Sequence, residues 1–475
     1  MLNSQVSFYH IHFQGLEEFV DDGTPGTTSS ESIYRKIEIP NDADLKEKLQ
    51  MLDIYQREVV NIGIKYCKDV VKARKIYNKK PDAPLVMIHG GAGAGKSTVI
   101  NILAVMAQKI LLQPGDNPDH PYVVKAAFTG TAASLIKGQT LSKMFSFAFN
   151  CEATPVSDKT RDQRRCDMQN LKMVIIDEIS MVKSEQLYLL DLRLQDFMLK
   201  DEPFGGVSIF CFGDLMQLPP VMGNWIFAEP KTKDDKFSET HALAPRWTMF
   251  SSVLLEMNHR QGADKDYADL LNKIRIGDFC PEDLQPLIGR IRNEGHPDLD
   301  EADLWIHGTK KAVKKRNDDY LKKLDGEEII LKALHHQSQQ KQFKVKVDEK
   351  DGTVGGTAFL DILRIKIGAN VMIIHNLDVV DGITNGQFGV VVVLIKTKSG
   401  HVDKIVIKPR DPSIGQINRT KFPSLSSKFP ECIFIERVSL QYSMTRRGTS
   451  GSTRTIIQFP ITLAFSITAH KIQVC

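Results

Sequence analysis

Three stretches of this sequence carry residues suited to phosphate chemistry. The first is IHGGAGAGKST, residues 88–98. Its Gly90, Gly95, Lys96 and Ser97 satisfy the spacing G-x-x-x-x-G-K-[ST]. Glycines let backbone N–H groups face an anion with no Cβ in the way, and a helix starting at Lys96 would turn its positive end toward the same anion. Gly90, Gly91, Ala92, Gly93, Ala94, Gly95, Lys96, Ser97 and Thr98 therefore read as a nucleotide cradle. Lys96 would reach the β- and γ-phosphates, and the Ser97 hydroxyl would bind Mg²⁺.

The second stretch, LKMVIIDEISMV, ends an apolar run in Asp177-Glu178. Two carboxylates at the tip of a buried strand are costly unless they have polar work there. Asp177 can hold the Mg²⁺ of a nucleotide, directly or through water, and Glu178 can orient and deprotonate an attacking water. A second carboxylate favours hydrolysis over transfer to a substrate. The third stretch, FCFGDLMQLPPV, brings Asp214 and Gln217 to the end of another apolar strand and fixes the chain with Pro219-Pro220. Gln217 can bond a γ-phosphate or the attacking water, and Asp214 can support the metal's water shell. Taken by itself, this stretch also reads as a proline-terminated turn.

Residues so far apart meet only if strands deliver them to one edge. The runs PLVMIHG, YVVKAAF, MVIIDE, VSIFCFGD and SVLLEMN alternate with amphipathic stretches. That pattern predicts parallel strands buried between helix layers, with ligands beyond the carboxyl ends. Helical spacing runs from Leu45 to Tyr77. A later helix is predicted around Tyr267, Leu270, Leu271 and Ile274, with Lys273 and Arg275 in its last turn and Gly277 as its stop. A polar, basic insertion interrupts the pattern after Thr140. From Asn370 to Gln458 short β-rich runs suggest a small inserted β-barrel.

The 475 residues suggest two to four domains, and 42% apolar content is ordinary for a globular chain. No run is long enough for a membrane helix, so no membrane partner is expected. The N-terminus lacks the signature of a secretory signal. Seven cysteines without a CxxC pair argue against zinc and against a disulfide scaffold, and favour a reducing compartment. Basic clusters at Lys72-Arg74-Lys75, Arg161-Arg164-Arg165 and Lys310-Lys311-Lys314-Lys315-Arg316 could be solvated faces or nucleic-acid contacts.

GGAGAGKS, FTGTAA, VIIDEISMV, FGDLMQLPPV, NHRQ and ITAHKIQ occur in that order. Across roughly residues 45–475 the chain resembles Pif-type, RecD-like DNA helicases of superfamily one. The resemblance implies an α/β P-loop NTPase with two RecA-like parallel-sheet domains, ATP between them and single-stranded DNA across them. Residues 1–44 would be a flexible arm and 45–250 the first RecA-like domain, with a wedge-like insertion at 141–170. The second RecA-like domain would begin with 251–382 and resume, incomplete, at 458–475. The inserted β-barrel would occupy 383–457. Gln56 matches the glutamine that reads the adenine edge, and Arg260 the arginine that reaches the γ-phosphate. Thr129, Gly130 and Thr131 match a DNA-backbone motif. Thr468, His470 and Lys471 match a motif near DNA and nucleotide. Asn385-Gly386 matches the turn opening the barrel.

The resemblance implies ATP-driven, 5′-to-3′ translocation on single-stranded DNA and opening of duplex junctions. A monomer in the nucleus is expected, with the mitochondrion as the alternative. Only Val474 and Cys475 follow Gln473, so feeble or absent hydrolysis is expected of the chain as written. The competing readings are a nucleotide- and nucleic-acid-binding remnant without unwinding activity and a P-loop ATPase switch acting on proteins.

Overall fold

A computed structural model describes residues 34, 36–76, 81–117, 120–147, 156–220, 223–229, 246–259, 264–292, 304–337, 347–348, 351–354, 357–443 and 453–472. Six strands, β1 (Leu85–Gly90), β2 (Val123–Ala127), β3 (Gln139–Thr140), β4 (Met173–Asp177), β5 (Ser208–Gly213) and β6 (Ser251–Leu255), form one sheet in the order β3-β2-β4-β5-β1-β6. Every pairing in it is parallel.

The apolar runs explain this arrangement. Successive strand side chains point to opposite faces. Val86, Ile88, Met173, Ile175, Phe210 and Phe212 enter one core cluster, whereas Met87, Val174, Ile176, Ile209 and Cys211 enter the other. The first cluster is closed by helices α2 (Ile54–Ile76) and α3 (Lys96–Leu111), through Val59, Val60, Val99 and Leu103. The second is closed by α7 (Ser184–Met198), through Leu187, Leu190 and Leu194. A strand covered on both faces has no solvent side, hence the unbroken apolar runs. Burying one such side chain contributes about 1.5–3 kcal/mol.

Between these elements lie α1 (Asp42–Gln50), α4 (Gly130–Leu135), α5 (Leu141–Phe145) and α6 (Asp158–Met168). The helical stretch predicted from Leu45 to Tyr77 is divided near Met51, where α1 ends and Asp53 starts a new cap. The described part of the insertion at 141–170 contains α5 and the basic helix α6. Its arginines are held by the protein: Arg165 reaches Asp196 at 2.6 Å, Arg161 reaches the same carboxylate at 3.2 Å, and Arg164 lies 3.8 Å from Asp167.

The chain divides into two compact units. One contains Ser30–Asp303, Asn376–Gly386 and His470–Cys475. The boundary expected at 250/251 thus falls inside this unit. β6 completes its sheet, and α8 (Lys265–Ile276), capped by Gly277 as expected, is tied to it by an ion pair described below.

The other unit contains Leu304–His375 and Gln387–Ala469. A parallel pair joins β7 (Trp305–His307) and β18 (Ser466–Thr468). Buried Asn317 bonds the Ser466 amide at 2.7 Å and the carbonyls of Ser466 and Leu463. The β-rich region contributes five antiparallel strands in the order β14 (Ile433–Ile435), β13 (Val402–Pro409), β12 (Phe388–Lys396), β11 (Asn370–Ile373) and β17 (Ile461–Leu463). Two of these, β11 and β17, lie outside the 383–457 interval read from the sequence.

Candidate nucleotide site

The glycine loop joins β1 to α3. Gly93 and Gly95 have φ of 85° and 73°, a conformation that glycine adopts without a steric penalty. At Gly95 a Cβ would also lie 2.5 Å from Gln56 Nε2. Lys96 opens α3 and folds back, its Nζ donating to the carbonyls of Gly90 at 2.8 Å and Gly91 at 3.1 Å. Ser97 and Thr98 follow on the exposed first turn.

β5 lies beside β1 in the sheet and β4 beside β5, with His89 in register with Gly213 and Ile176 with Cys211. Asp177, Glu178 and the 214–217 turn therefore leave the sheet at the same edge as the glycine loop. Asp177 is buried, and its Oδ1 accepts the Glu178 amide at 2.9 Å. Burial raises the Asp177 pKa, against the pull of that amide and of Lys96. Glu178 takes a left-handed backbone conformation, φ 54° and ψ 46°, rare for a residue with a side chain. Burial, reinforced by the Asp177 charge, pushes the Glu178 carboxyl up to about 7; Lys96 acts against the shift, and Asp214 adds to it.

Asp214 is 1% exposed. Burial opposes its ionisation, but the guanidinium of Arg275, the Met216 amide and Lys96 outweigh it and hold its pKa below the usual carboxylate range. Arg275 donates from Nε at 2.8 Å and Nη2 at 2.6 Å, one bond to each oxygen. Asp214 was expected to support a metal's water shell; both its oxygens instead serve Arg275. Gln217 donates its amide to Asp214 Oδ2 at 3.3 Å and its backbone N–H to the Asp214 carbonyl at 3.0 Å.

On the other side of the loop, Gln56 is buried. Its Oε1 accepts the Asp53 amide at 3.2 Å, and its own amide donates to Asp53 Oδ1 at 2.9 Å, a reciprocal cap at the start of α2. Gln56 Nε2 donates to the Ala94 carbonyl at 3.1 Å and lies 3.1 Å from His259 Nε2. His259 reaches Asp53 Oδ2 at 2.7 Å and gives its backbone N–H to the Gly93 carbonyl at 2.8 Å. Sequence reasoning took His259 for a variable position, and it passed over Asp53 and the pairing of Arg275 with Asp214. The D-x-x-Q spacing of Asp53 and Gln56 was the one signal available for these contacts. Arg260 lies outside the described residues.

Two of the residues expected at DNA, Thr129 and Thr131, have internal partners. Thr129 Oγ1 accepts the Ala132 amide at 3.2 Å, capping α4. Thr131 is buried, and its hydroxyl donates to the Asn385 carbonyl. A Cβ at Gly130 would fall 1.9 Å from Asn376 Oδ1, which itself accepts the Asn385 amide at 2.9 Å. Thr468 ends β18, and His470 and Lys471 stand in the short helix Ala469–Ile472.

A glycine loop between strand and helix, a lysine on the loop carbonyls and paired carboxylates at the next strand tips define a P-loop α/β protein. A family model described as PIF1-like helicase matches residues 67–284, and one described as DNA helicase Pif1, 2B domain, matches residues 360–394. Over these residues the chain is similar to the PIF1-like helicase family.

Among curated relatives, ATP-dependent DNA helicase PIF1 of Emericella nidulans is 28% identical over 314 residues, covering 65% of this chain and 39% of that one. The protein of the same name from Saccharomyces cerevisiae is 27% identical, covering 64% and 33%. ATP-dependent DNA helicase Pif1 of Bdellovibrio bacteriovorus is 25% identical, covering 82% and 75%. The chain thus spans well under half of the first two relatives. Among solved structures, the Pif1 helicase from Bacteroides in complex with ADP-AlF3 and ssDNA aligns with TM-score 0.56 and 24% identity, covering 85% of this chain and 82% of that one. The Pif1 helicase from Candida albicans aligns with TM-score 0.59 and 21% identity, covering 89% and 86%. These likenesses show a shared fold.

Proposed function

We propose that this chain is an ATP-dependent DNA helicase that couples hydrolysis to 5′-to-3′ movement on single-stranded DNA and to separation of strands at duplex junctions. The observation that carries this reading is the gathering of Lys96, Asp177, Glu178 and the Gln217 turn at one edge of a parallel sheet. The relatives named as ATP-dependent DNA helicases support it, as does the fold neighbour in complex with ADP-AlF3 and ssDNA.

In this reading the loop from Gly90 to Thr98 receives the triphosphate. Lys96 exchanges its carbonyl partners for phosphate oxygens, a charge-assisted contact stronger than the one it leaves. Among the described residues no three His, Cys, Asp or Glu side chains form a metal cage. Mg²⁺ needs none, because it takes one or two protein oxygens and completes its shell with phosphate and water. Ser97 and the buried Asp177 fit that pattern, and Mg²⁺ would neutralise charge on the phosphates. Glu178 takes a proton from the attacking water, and Gln217 orients that water or the γ-phosphate. Gln56 faces the base, and Arg260 is assigned to the γ-phosphate. Thr129, Gly130, Thr131, Thr468, His470 and Lys471 are assigned to DNA. Action as a monomer in the nucleus belongs to the same proposal.

The test is an unwinding assay on partial duplexes with 5′ or 3′ tails, beside Lys96→Ala. Opening of the 5′-tailed substrate by the parent protein and not by the variant is expected. Equal unwinding by Lys96→Ala would overturn the assignment of the site.

A further inference from the structure

We propose that Arg275 is a positioning residue for the Gln217 turn, acting through Asp214. The inference rests on the nucleotide-site reading above and extends it to a residue 61 positions beyond Asp214. One carboxylate organises the turn: it accepts the Met216 amide at 3.1 Å and the Gln217 side chain at 3.3 Å. One guanidinium, from the last turn of α8, holds that carboxylate by a two-bond fork.

A planar fork fixes the rotation of the carboxylate as well as its place, which a lysine ammonium would not do. Rotating Asp214 would carry off the acceptor that Gln217 uses. A buried carboxylate stripped of its partner is also a strongly unfavourable charge. Here that charge would stand near Lys96 and Glu178, both of which already feel Asp214. The alternative is that the pair only fastens α8 to the sheet. Such a fastener would change stability and leave the γ-phosphate end of the site alone.

Nucleotide binding separates the two without requiring turnover. The full chain, Arg275→Ala, Arg275→Lys and Lys96→Ala are titrated with fluorescent ADP, with and without aluminium fluoride as a mimic of the transferring phosphoryl group. Thermal melts run in parallel. Gln217 acts only where a γ-phosphate would be, so Arg275→Ala should keep its affinity for ADP alone within about twofold. Its gain in affinity on adding aluminium fluoride should fall by ~10-fold or more, the scale of one lost charge-assisted contact. Arg275→Lys should recover part of that gain. If Arg275→Ala fails to fold, Arg275→Lys carries the test, because it keeps the charge and loses the fork. Wild-type response to aluminium fluoride in the folded Arg275 variant would overturn the inference and leave the nucleotide site standing. Failure of the parent chain to bind ADP better than Lys96→Ala would overturn the reading beneath both.

Discussion

His259 and Asp53, 206 residues apart in sequence, meet at 2.7 Å beside the glycine loop. The same histidine nitrogen lies 3.1 Å from the Gln56 side-chain nitrogen. A single ring nitrogen either donates a proton or accepts one, so it serves Asp53 or Gln56, not both. Asp53 in turn caps the helix that presents Gln56. The orientation of Gln56 thus depends on a residue adjacent to Arg260. Replacing His259 with Ala should weaken ATP binding roughly 3–10-fold, the effect of one lost hydrogen bond. GTP should lose less, because Gln56 is assigned to the adenine edge. Competition against a fluorescent nucleotide would measure the ratio; equal losses for ATP and GTP would contradict the assignment.

The raised pKa of Glu178 predicts a pH profile. A general base works only when ionised, so hydrolysis should climb as pH rises through about 7, the value to which burial and Asp177 push this carboxyl. Glu178→Gln should be nearly inactive, with no such limb. Stability should move the opposite way. The folded state holds the proton more tightly than the unfolded chain, so between the ordinary glutamate range and about pH 7 this group makes stability fall as pH rises. Parallel melts of wild type and Glu178→Gln across that window should show wild type losing ground. Identical slopes would contradict the buried position of the carboxyl.

Gly130 is predicted to tolerate no side chain while Asn376 is present. Gly130→Ala places a methyl group where Asn376 Oδ1 now sits, and overpacking of this kind costs about 1–3 kcal/mol. Gly130→Ala combined with Asn376→Ala should recover much of that loss. Chemical denaturation of the single and double variants is the measurement, and additive losses would show that the loop 376–386 does not rest there.

Thiol labelling should divide the cysteines. Cys166 and Cys280 are exposed, whereas Cys67, Cys211 and Cys432 are buried. Burial raises all three buried thiols, Cys67 to about 12 and Cys432 to about 11. Only the thiolate reacts readily. At pH 8, peptide mapping should find Cys166 and Cys280 modified before Cys67, Cys211 and Cys432, which should react only after unfolding. Rapid labelling of Cys211 would be incompatible with its place in the central strand.

The strands and their tips were legible because burial on both faces leaves an unbroken apolar run, and a carboxylate at the end of such a run stands out. The loop at Gly90–Thr98 was legible because its spacing has few other uses. What stayed hidden was partner choice. Nothing local tells Arg275 to find Asp214, or Asn376 to come to rest over Gly130; both depend on how the chain returns over long distances. The partners of the basic run at 161–165 were hidden for the same reason. The sequence leaves Arg161 and Arg165 as a solvated face or a polyanion contact, and does not show that Asp196, on the next helix, meets them. The division near Met51 was hidden because the apolar spacing continues through it.

Glu178 keeps a backbone shape that glycine would adopt freely, at a cost of about 1–2 kcal/mol for a residue with a Cβ. Heat tolerance and turnover therefore make opposite demands on this one codon. A library selected only for survival at high temperature should drift here toward glycine or asparagine and collect well-folded proteins with no turnover. A library selected for catalysis should restore the acid each time.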